Sequence, residues 1–284
     1  MNRVDMNVQT PPAGWWRLDA EQEAADKDVK KSEEEEVAAK TEGDDKEKER
    51  EDAEAEAEEE EVAATEESAD SGAKEIRKME LHIGKKVAFI LYNVLSPAEC
   101  RHLVAKTEEM GYKPMPEYPT SYRSNTRLII DDEELQEEIW RRVQPHIPAE
   151  FEDRRGKWHP YGLNARWRFC RYTPGQHFSS HCDGAFELGV RDRSQLTFMF
   201  YLNGGFDGGA TVFLEGGRKE VQPEAGMVLI FQHNILHEGQ RLATGKKYIM
   251  RSDVMADRLG TAEVMAARAC REANDGGGPQ RAAA

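Results

Sequence analysis

The sequence lacks the features that would place it in a membrane or a secretory compartment. No stretch approaches about 18 consecutive apolar residues, so we expect no membrane span and no membrane partner. The first 16 residues contain one arginine and no apolar core, unlike a signal peptide. We therefore expect a cytoplasmic or nuclear location rather than the endoplasmic reticulum.

Cysteine is also scarce. The chain has four cysteines, and no two of them have the Cys-x-x-Cys spacing of a zinc site or a redox pair. Without a secretory context, reduced thiols are the expectation. The sequence therefore predicts neither a disulfide scaffold nor a cysteine-based zinc site.

Aromatic residues are missing and positive charge is sparse in an acidic stretch near the N-terminus. Residues 21–70 hold 24 Asp and Glu against 7 Lys and Arg, a local net charge of −17, whereas the whole chain carries −15 and the remainder therefore +2. Such a block cannot bury enough apolar surface to offset the entropy of ordering. We predict a disordered, highly acidic region over residues 1–75, either a solvated spacer or a tail that contacts basic partners. Within it, Trp15-Trp16 is either a docking peptide or without a role.

Two helices are predicted in the middle of the chain. Ser96 is a suitable N-cap, with Pro97 in the first turn and Glu99 closing a capping box. Gly111 would end this first helix. A second helix is predicted after Asp132, because apolar residues then recur at helical spacing.

Short alternating runs with Gly and Pro turns dominate the later sequence. We predict one domain over residues 76–257, with its core at about 164–257, followed by an Ala/Gly-rich tail over residues 258–284. The fold class is mainly β with helices (α+β), a sandwich or barrel supported by N-terminal helices. The predicted strands are 87–91, 165–172, 196–202, 211–214, 227–232 and 248–254.

One short motif could bind a metal. In His181-Cys182-Asp183 the imidazole and the carboxylate lie two residues apart, so an extended strand presents both on one face. His237, 56 residues later, could complete a set of two histidines and one carboxylate, which suits Fe(II) because it leaves positions open for a co-substrate and dioxygen. On its own the motif is equally compatible with two polar residues on a solvated strand.

Lys247 lies ten residues beyond His237, at the start of the last predicted strand. A 2-oxoglutarate molecule that chelates iron directs its far carboxylate into the barrel, where that anion needs a buried cation. A lysine on the strand after the distal ligand meets this need.

The segment from Arg168 to Asp253 resembles the iron- and 2-oxoglutarate-dependent dioxygenases of the prolyl 4-hydroxylase-like group. Residues 84–165 resemble the helical N-terminal part of that family. The matching pieces are residues 171–176, His181-Cys182-Asp183, 196–202, 208–213, 223–226, His237-Glu238-Gly239 and Gly245-Lys246-Lys247.

The resemblance implies a double-stranded β-helix, or jelly roll, with supporting helices. It maps the iron ligands to His181, Asp183 and His237. It also implies that Tyr172 hydrogen-bonds the 2-oxoglutarate carboxylate and that Lys247 pairs with it. The implied cofactors are Fe(II) and dioxygen with 2-oxoglutarate as co-substrate, and ascorbate as reductant.

Several neighbouring residues have more than one interpretation. Arg251 shares a strand face with Lys247, so it could share the carboxylate, line the substrate entrance or face solvent. His177 and His233 are expected to support the ligands or lie at the surface, and Cys182 to lie in the core. Phe178 can pack but cannot donate the hydrogen bond of the tyrosine often found there in collagen-type enzymes.

Two further groups are predicted outside the ligand set. Gly208-Gly209 is expected to form a turn or a bulge. Arg123, Asn125 and Arg127 could contact substrate near the mouth of the site or form a solvated loop.

The predicted function is a dioxygenase that hydroxylates a prolyl or other residue in a peptide or protein, releasing succinate and carbon dioxide. One alternative is a jelly-roll oxygenase acting on a free amino acid or small metabolite. A second is a non-catalytic β-sandwich interaction module, and a third is zinc in the same ligands, which leaves Lys247 without a role. No specific nucleic-acid partner is predicted.

Overall fold

The computed structural model describes residues 8–19, 75–189 and 191–258. These residues form fourteen β-strands, two α-helices and one short 3-10 helix. The first eight elements are β1 (Val8–Gln9), β2 (Arg77–Glu80), β3 (Ala88–Tyr92), α1 (Pro97–Met110), β4 (Thr126–Asp131), α2 (Glu133–Val143), the 3-10 helix (Gln144–His146) and β5 (Phe151–Asp153). The others are β6 (Gly156–Leu163), β7 (Arg166–Tyr172), β8 (Phe178–His181), β9 (Asp192–Tyr201), β10 (Thr211–Phe213), β11 (Lys219–Val221), β12 (Val228–Gln232), β13 (His237–Gly239) and β14 (Lys247–Asp257).

Strands β7 to β14 alternate between two sheets. The larger sheet has the order β1-β4-β7-β14-β9-β12-β3-β2, with the β5–β6 hairpin joined to it through β6 and β14. The smaller sheet has the order β11-β10-β13-β8. Four strands of the larger sheet, β7-β14-β9-β12, thus interleave in sequence with the four of the smaller one. This alternation is the double-stranded β-helix, and it confirms the predicted fold class.

The larger sheet is buried on both faces, so its strands carry apolar residues at successive positions. In β7, Trp167 and Phe169 belong to an apolar cluster that includes residues of both helices. The alternate residues Cys170 and Tyr172 belong to a second cluster, which contains residues of the smaller sheet. The period of two along a strand therefore separates a helix layer from an inter-sheet layer.

Both predicted helices are present with the predicted caps. The Ser96 hydroxyl accepts from the backbone N–H of Glu99 at 3.1 Å, and the Glu99 carboxylate accepts from the backbone N–H of Ser96 at 2.7 Å. Gly111 follows the last turn with a φ of 87°. Asp132 caps α2 through the backbone N–H of Leu135 at 2.9 Å. Helix ends are fixed locally, which is why the sequence predicts them well.

The structure contains strands that the sequence did not predict. They are β1, β2, β4, the hairpin of β5 and β6, β8, β11 and β13, and most are two to four residues long. Strands this short carry little periodicity, and their pairing partners decide them.

The prediction that the whole region 1–75 lies outside the domain is wrong for its first part. Val8 pairs with Ile129 in a parallel ladder, and Trp15 and Trp16 are 7% and 8% exposed within the helix-layer cluster. The Trp15 indole N–H donates to Asp132 at 2.7 Å, so the segment also contacts the N-cap of α2. Two large aromatic side chains bury enough apolar surface to hold a short segment in place.

The acidic stretch of residues 21–70, the tail from residue 259 and Cys270 lie outside the described residues. Within the described part of the chain, no helix combines the length and the apolar character needed to cross a membrane.

Replacing Trp15 by alanine tests the contribution of the N-terminal segment. Trp15→Ala should lower the free energy of unfolding by about 3 kcal/mol, because it leaves a cavity beside Phe169 and removes the hydrogen bond to Asp132. Chemical denaturation measures this change. Arg17→Ala is the control, since its pairing with Glu134 is exposed and should contribute less than about 1 kcal/mol. Equal stability of Trp15→Ala and the native protein would contradict the packing.

Candidate metal centre

Two neighbouring strands of the smaller sheet bring the three predicted ligands together. His181 ends β8 and His237 begins β13, and the two residues are direct cross-strand partners. Asp183 follows two residues after His181, with its carboxylate oxygens 3.5 Å from Nε2 of His181 and 3.7 Å from Nε2 of His237. One donor atom of each residue lies within 4.8 Å of the others, a spacing suited to one metal ion.

Both histidines have the tautomer that ligation requires. Nδ1 of His181 lies 2.8 Å from the carbonyl of Ser179, and Nδ1 of His237 lies 2.9 Å from the carbonyl of Ile235. A carbonyl only accepts, so Nδ1 carries the proton and Nε2 keeps its lone pair. Burial lowers the pKa of His237 to about 4, which keeps this ring neutral.

The Asp183 carboxylate is ionised and anchored from two sides. Burial alone would raise its pKa, but the guanidinium of Arg251 and the hydrogen bond from Thr197 hold the pKa well below its ordinary value. Arg251 contributes an Nη2–Oδ1 contact of 3.0 Å, and Thr197 donates a hydrogen bond to Oδ2 at 2.5 Å. The carboxylate therefore cannot rotate away from the two imidazoles without losing these partners.

A chain of hydrogen bonds leads from Asp183 through Thr197 and His233 to Ser194. The Thr197 hydroxyl gives its proton to the carboxylate, so it accepts from Nδ1 of His233 at 2.9 Å. Nε2 of His233 then accepts from the Ser194 hydroxyl at 2.8 Å. Burial lowers the pKa of His233, consistent with the neutral ring that this chain requires. His233 thus supports a ligand and is not one itself, as expected from the sequence.

Aromatic stacking fixes the plane of His181. The Phe178 ring lies parallel to the imidazole with centroids 3.6 Å apart, and the guanidinium of Arg123 covers the other side of Phe178 at 4.3 Å. Tyr122 contacts the edge of Phe178 at 5.4 Å. A tyrosine hydroxyl at position 178 is therefore not needed to orient the ligand, because stacking performs that task.

A cavity opens on the ligand set between the two sheets. Its far wall contains Lys247, whose side chain is buried, together with Tyr172. The ammonium donates to the carbonyl of Gly209 and lies 5.4 Å from the Tyr172 ring and 5.3 Å from the Tyr201 ring. Burial lowers the pKa of Lys247 to about 7.

Gly209 lets the backbone approach this lysine. Its φ is 68°, and an added Cβ would lie 3.0 Å from Leu242 and 3.3 Å from the Lys247 side chain. Gly208, which precedes it, has a φ of 74° and forms an isolated antiparallel bridge with Leu242. Gly209 supplies the carbonyl that Lys247 contacts.

The donor set fits Fe(II), and the cavity fits a co-substrate with a free carboxylate. Two imidazoles and one carboxylate on one side of a metal ion leave its other positions open. No carboxylate among the described residues forms an ion pair with Lys247, so a bound anion would supply the partner that this buried cation lacks.

The remaining predictions separate into three outcomes. Arg251 faces the site and pairs with Asp183 and, at 3.4 Å, with Asp253, so it does not face solvent. Cys182 is exposed, and the prediction that it lies in the core is wrong, because the chain leaves β8 at this point and alternation no longer applies. His177 is half-buried and contacts the carbonyl of Ser121 at 3.1 Å, away from the ligand set.

The polar cluster before β4 divides in two. Arg123 lines the cavity and is held by Asn125, which accepts from its Nε at 2.8 Å. Arg127 lies in β4 and pairs with Glu117 at 3.2 Å. Arg123 is thus the member of the cluster positioned to meet a substrate.

Sequence reasoning missed two residues of the site. Thr197 and Ser194 lie in the dense apolar strand β9 and carry no motif of their own. The only sequence signal is their spacing of three, which places them on opposite faces of a regular strand and so argues against a shared role. In the structure, the β9–β14 pairing shifts register between Val254 and Met255, where Val254 pairs with Leu196 and Met255 with Ser194. Regular alternation therefore does not hold between Ser194 and Thr197.

Comparison with known families gives one match. Residues 167–252, less than a third of the chain, match the model of the 2OG-Fe(II) oxygenase superfamily. The matched span contains the three ligands and also Tyr172, Lys247 and Arg251. It confirms the resemblance read from the sequence. A search of curated proteins found no match.

Three of the similar solved structures are prolyl hydroxylases. A viral collagen prolyl hydroxylase from Paramecium bursaria Chlorella virus-1 is 18% identical, with a TM-score of 0.43 over 60% of this chain and 96% of that one. A prolyl-4-hydroxylase from Pseudomonas putida is 18% identical, with a TM-score of 0.44 over 61% and 93%. A prolyl hydroxylase from Trichoplax adhaerens, in complex with a peptide fragment of hypoxia inducible factor, is 16% identical, with a TM-score of 0.48 over 62% and 86%.

Removing the Thr197 hydroxyl tests the support of Asp183. Thr197→Val should weaken metal binding by about 10- to 100-fold, because one carboxylate oxygen loses its donor while all three ligands remain. Titration calorimetry with Mn(II) as the probe measures the affinity. Thr107→Val is the matched control, since it removes a buried hydroxyl within α1, where Thr107 donates to the Leu103 carbonyl at 2.7 Å. An equal, small loss in both variants would refute the role of Thr197.

Proposed function

We propose that this chain, whose residues 167–252 carry the 2OG-Fe(II) oxygenase domain, is a dioxygenase that hydroxylates a prolyl or another residue of a peptide or protein. The observation that carries the proposal is the location of the His181, Asp183 and His237 triad and of buried Lys247 on the walls of one cavity. The catalytic unit would comprise residues 76–257, and the segment Val8–Arg17 packs against it through Trp15 and Trp16.

His181, Asp183 and His237 would hold Fe(II). Iron in this site supplies the redox chemistry that couples oxidation of 2-oxoglutarate to hydroxylation of a carbon–hydrogen bond. One oxygen atom of O2 enters succinate as carbon dioxide leaves, and the other becomes the hydroxyl of the product. The electrons balance without a further reductant in each complete cycle, and ascorbate would be the added reductant.

Lys247 and Tyr172 would bind the far carboxylate of 2-oxoglutarate. The ammonium of Lys247 is buried and its nearest contacts are a neutral carbonyl and two aromatic faces. An anion there gains a charge-assisted hydrogen bond that water does not weaken. Tyr172 faces Lys247 directly across the β7–β14 ladder, so both side chains point to the same place.

Arg251 has a different task in this proposal. Nη2 of its guanidinium contacts both Asp183 and Asp253, so we assign Arg251 to orienting the ligand rather than to sharing the co-substrate carboxylate. The zinc alternative is less favoured, because it gives no reason for a cation as deeply buried as Lys247. The interaction-module alternative has the same weakness, since burying an unpaired ammonium costs free energy.

Activity and 2-oxoglutarate binding test the proposal together. Purified protein with Fe(II), ascorbate and labelled 2-oxoglutarate should release carbon dioxide, and His181→Ala should abolish the release. Lys247→Ala should weaken 2-oxoglutarate binding by about 100-fold through loss of the charge-assisted contact. The matched control is Lys246→Ala, because Lys246 is the exposed neighbour of Lys247.

No carbon dioxide release from the iron-loaded protein, with peptide and metabolite panels both present, would count against the oxygenase. Turnover with metabolites and none with peptides would instead favour the small-molecule alternative.

The pH dependence of 2-oxoglutarate binding should report Lys247. Because the pKa of Lys247 is about 7, this side chain loses its positive charge in the free protein as the pH rises above neutrality. The affinity for 2-oxoglutarate should then fall by about tenfold per pH unit. His237 and Asp183 do not titrate in this range, because burial lowers the pKa of His237 to about 4 and Arg251 holds that of Asp183 below its usual value. Binding measured between about pH 6.5 and 9 should show the decline. A flat profile would exclude a depressed lysine pKa.

The same group affects stability without 2-oxoglutarate. Between about pH 7 and the ordinary lysine pKa of 10.5, the unfolded chain binds a proton at Lys247 that the folded chain has released. The free energy of unfolding should therefore rise with pH in this window from this group.

A further inference from the structure

A second cavity shares Asp183 with the first as a lining residue. It has a volume of about 250 Å³. We call it the arginine cavity and define it by Arg154, Arg155, Arg193, Gln195, Cys182 and Asn234, which line it. Arg154 and Arg155 come from the β5–β6 hairpin, and Arg193 and Gln195 come from β9. Asp183 lines both cavities, so the arginine cavity adjoins the metal site.

Positive charge in the arginine cavity is only partly compensated. Arg193 pairs with Glu187 at 2.9 Å. Arg154 and Arg155 have exposed side chains that form no ion pair with any described residue. The acidic wall residue Asp153 already accepts from the backbone N–H of Arg155 at 2.7 Å and from an indole N–H at 2.8 Å. Two guanidinium groups therefore remain available to an anion.

Buried donors at the cavity also lack acceptors. Gln195 is 7% exposed, and its Nε2 has no hydrogen-bond partner among the described residues. The Nε of Arg193 is also buried without a partner. Leaving a buried donor without an acceptor costs free energy, so such donors usually face a ligand or ordered water. Donors predominate over acceptors here, and the complementary group is an oxygen anion.

We infer that the arginine cavity binds a carboxylate side chain of the peptide substrate, a few residues from the one that is hydroxylated. This rests on the proposed function. Guanidinium and amide donors match a carboxylate, which accepts up to four hydrogen bonds. Asp183 lines both cavities, whereas Lys247 lines only the first, so an occupant that also reaches the metal site must extend past Asp183. A polypeptide does this, because neighbouring residues of an extended chain lie about 3.3 Å apart.

The test uses matched pairs of proline-containing peptides, with glutamate or glutamine at each flanking position in turn. For at least one position, kcat/KM for the glutamate peptide should exceed that for the glutamine peptide by about tenfold or more, mainly through KM. The preference should shrink as the salt concentration rises. Fluorescence anisotropy of the same labelled peptides without dioxygen gives affinities that do not depend on turnover.

Charge reversal locates the effect. In the double variant Arg154→Glu/Arg155→Glu, the ratio of the glutamate to the glutamine peptide should fall to about one or below, both in kcat/KM and in binding. Gln195→Met, which removes the unpartnered amide at similar size, should reduce the ratio in part. The matched control is Lys85→Glu/Arg218→Glu, which makes the same change in net charge at exposed positions outside the cavity and should keep the ratio of the native protein.

Three results would overturn the inference. They are equal binding of glutamate and glutamine peptides by the native protein, a preference that survives Arg154→Glu/Arg155→Glu, and competition by inorganic phosphate as strong as that by the glutamate peptide. The last would identify a site for free anions. Failure of the proposed function looks different, because it removes 2-oxoglutarate turnover with every peptide while leaving the anisotropy comparison intact.

Discussion

The carboxylate of Asp183 is the group on which the arrangement of the site depends. Its side chain is 4% exposed, and a charge buried to this degree is stable only with charged or hydrogen-bonding partners. Arg251 and Thr197 supply them from the two adjacent strands β14 and β9 of the larger sheet. The smaller sheet contributes both histidines, so the contacts of Asp183 also link the two sheets at the ligand set.

The alternation of the larger sheet makes this possible within a well-packed domain. Residues of one parity in β7, β9 and β14 pack against the helices and are mainly apolar. Residues of the other parity face the smaller sheet, and toward one end they change from apolar to polar, as in Met199 and Thr197. Because the helix face needs no polar residue, the site draws its side chains from the inter-sheet face alone.

The parts of the structure set by local chemistry are those that the sequence predicts. The capping box at Ser96 and the helix end at Gly111 each depend on a few adjacent residues. The ligand triad was predicted through its motif and spacing. The roles of Trp15 and Thr197 were not predicted, because each depends on a distant partner. Trp15 contacts Asp132, 117 residues away, and Thr197 contacts Asp183, 14 residues away. Cys182 was wrongly predicted to lie in the core, because β8 ends at His181 and strand alternation does not extend to Cys182.

The two cations of β14 show how environment separates residues of one strand face. Arg251 meets two carboxylates, and these raise its pKa although burial alone would lower it. Lys247, four residues earlier, meets a carbonyl and two aromatic rings, and burial lowers its pKa to about 7. A guanidinium suits fixed pairing because it stays charged and offers several donors in a plane. A lysine whose pKa is lowered by burial suits an anion that binds and dissociates. Binding of the anion favours the protonated ammonium, and its dissociation favours loss of the proton.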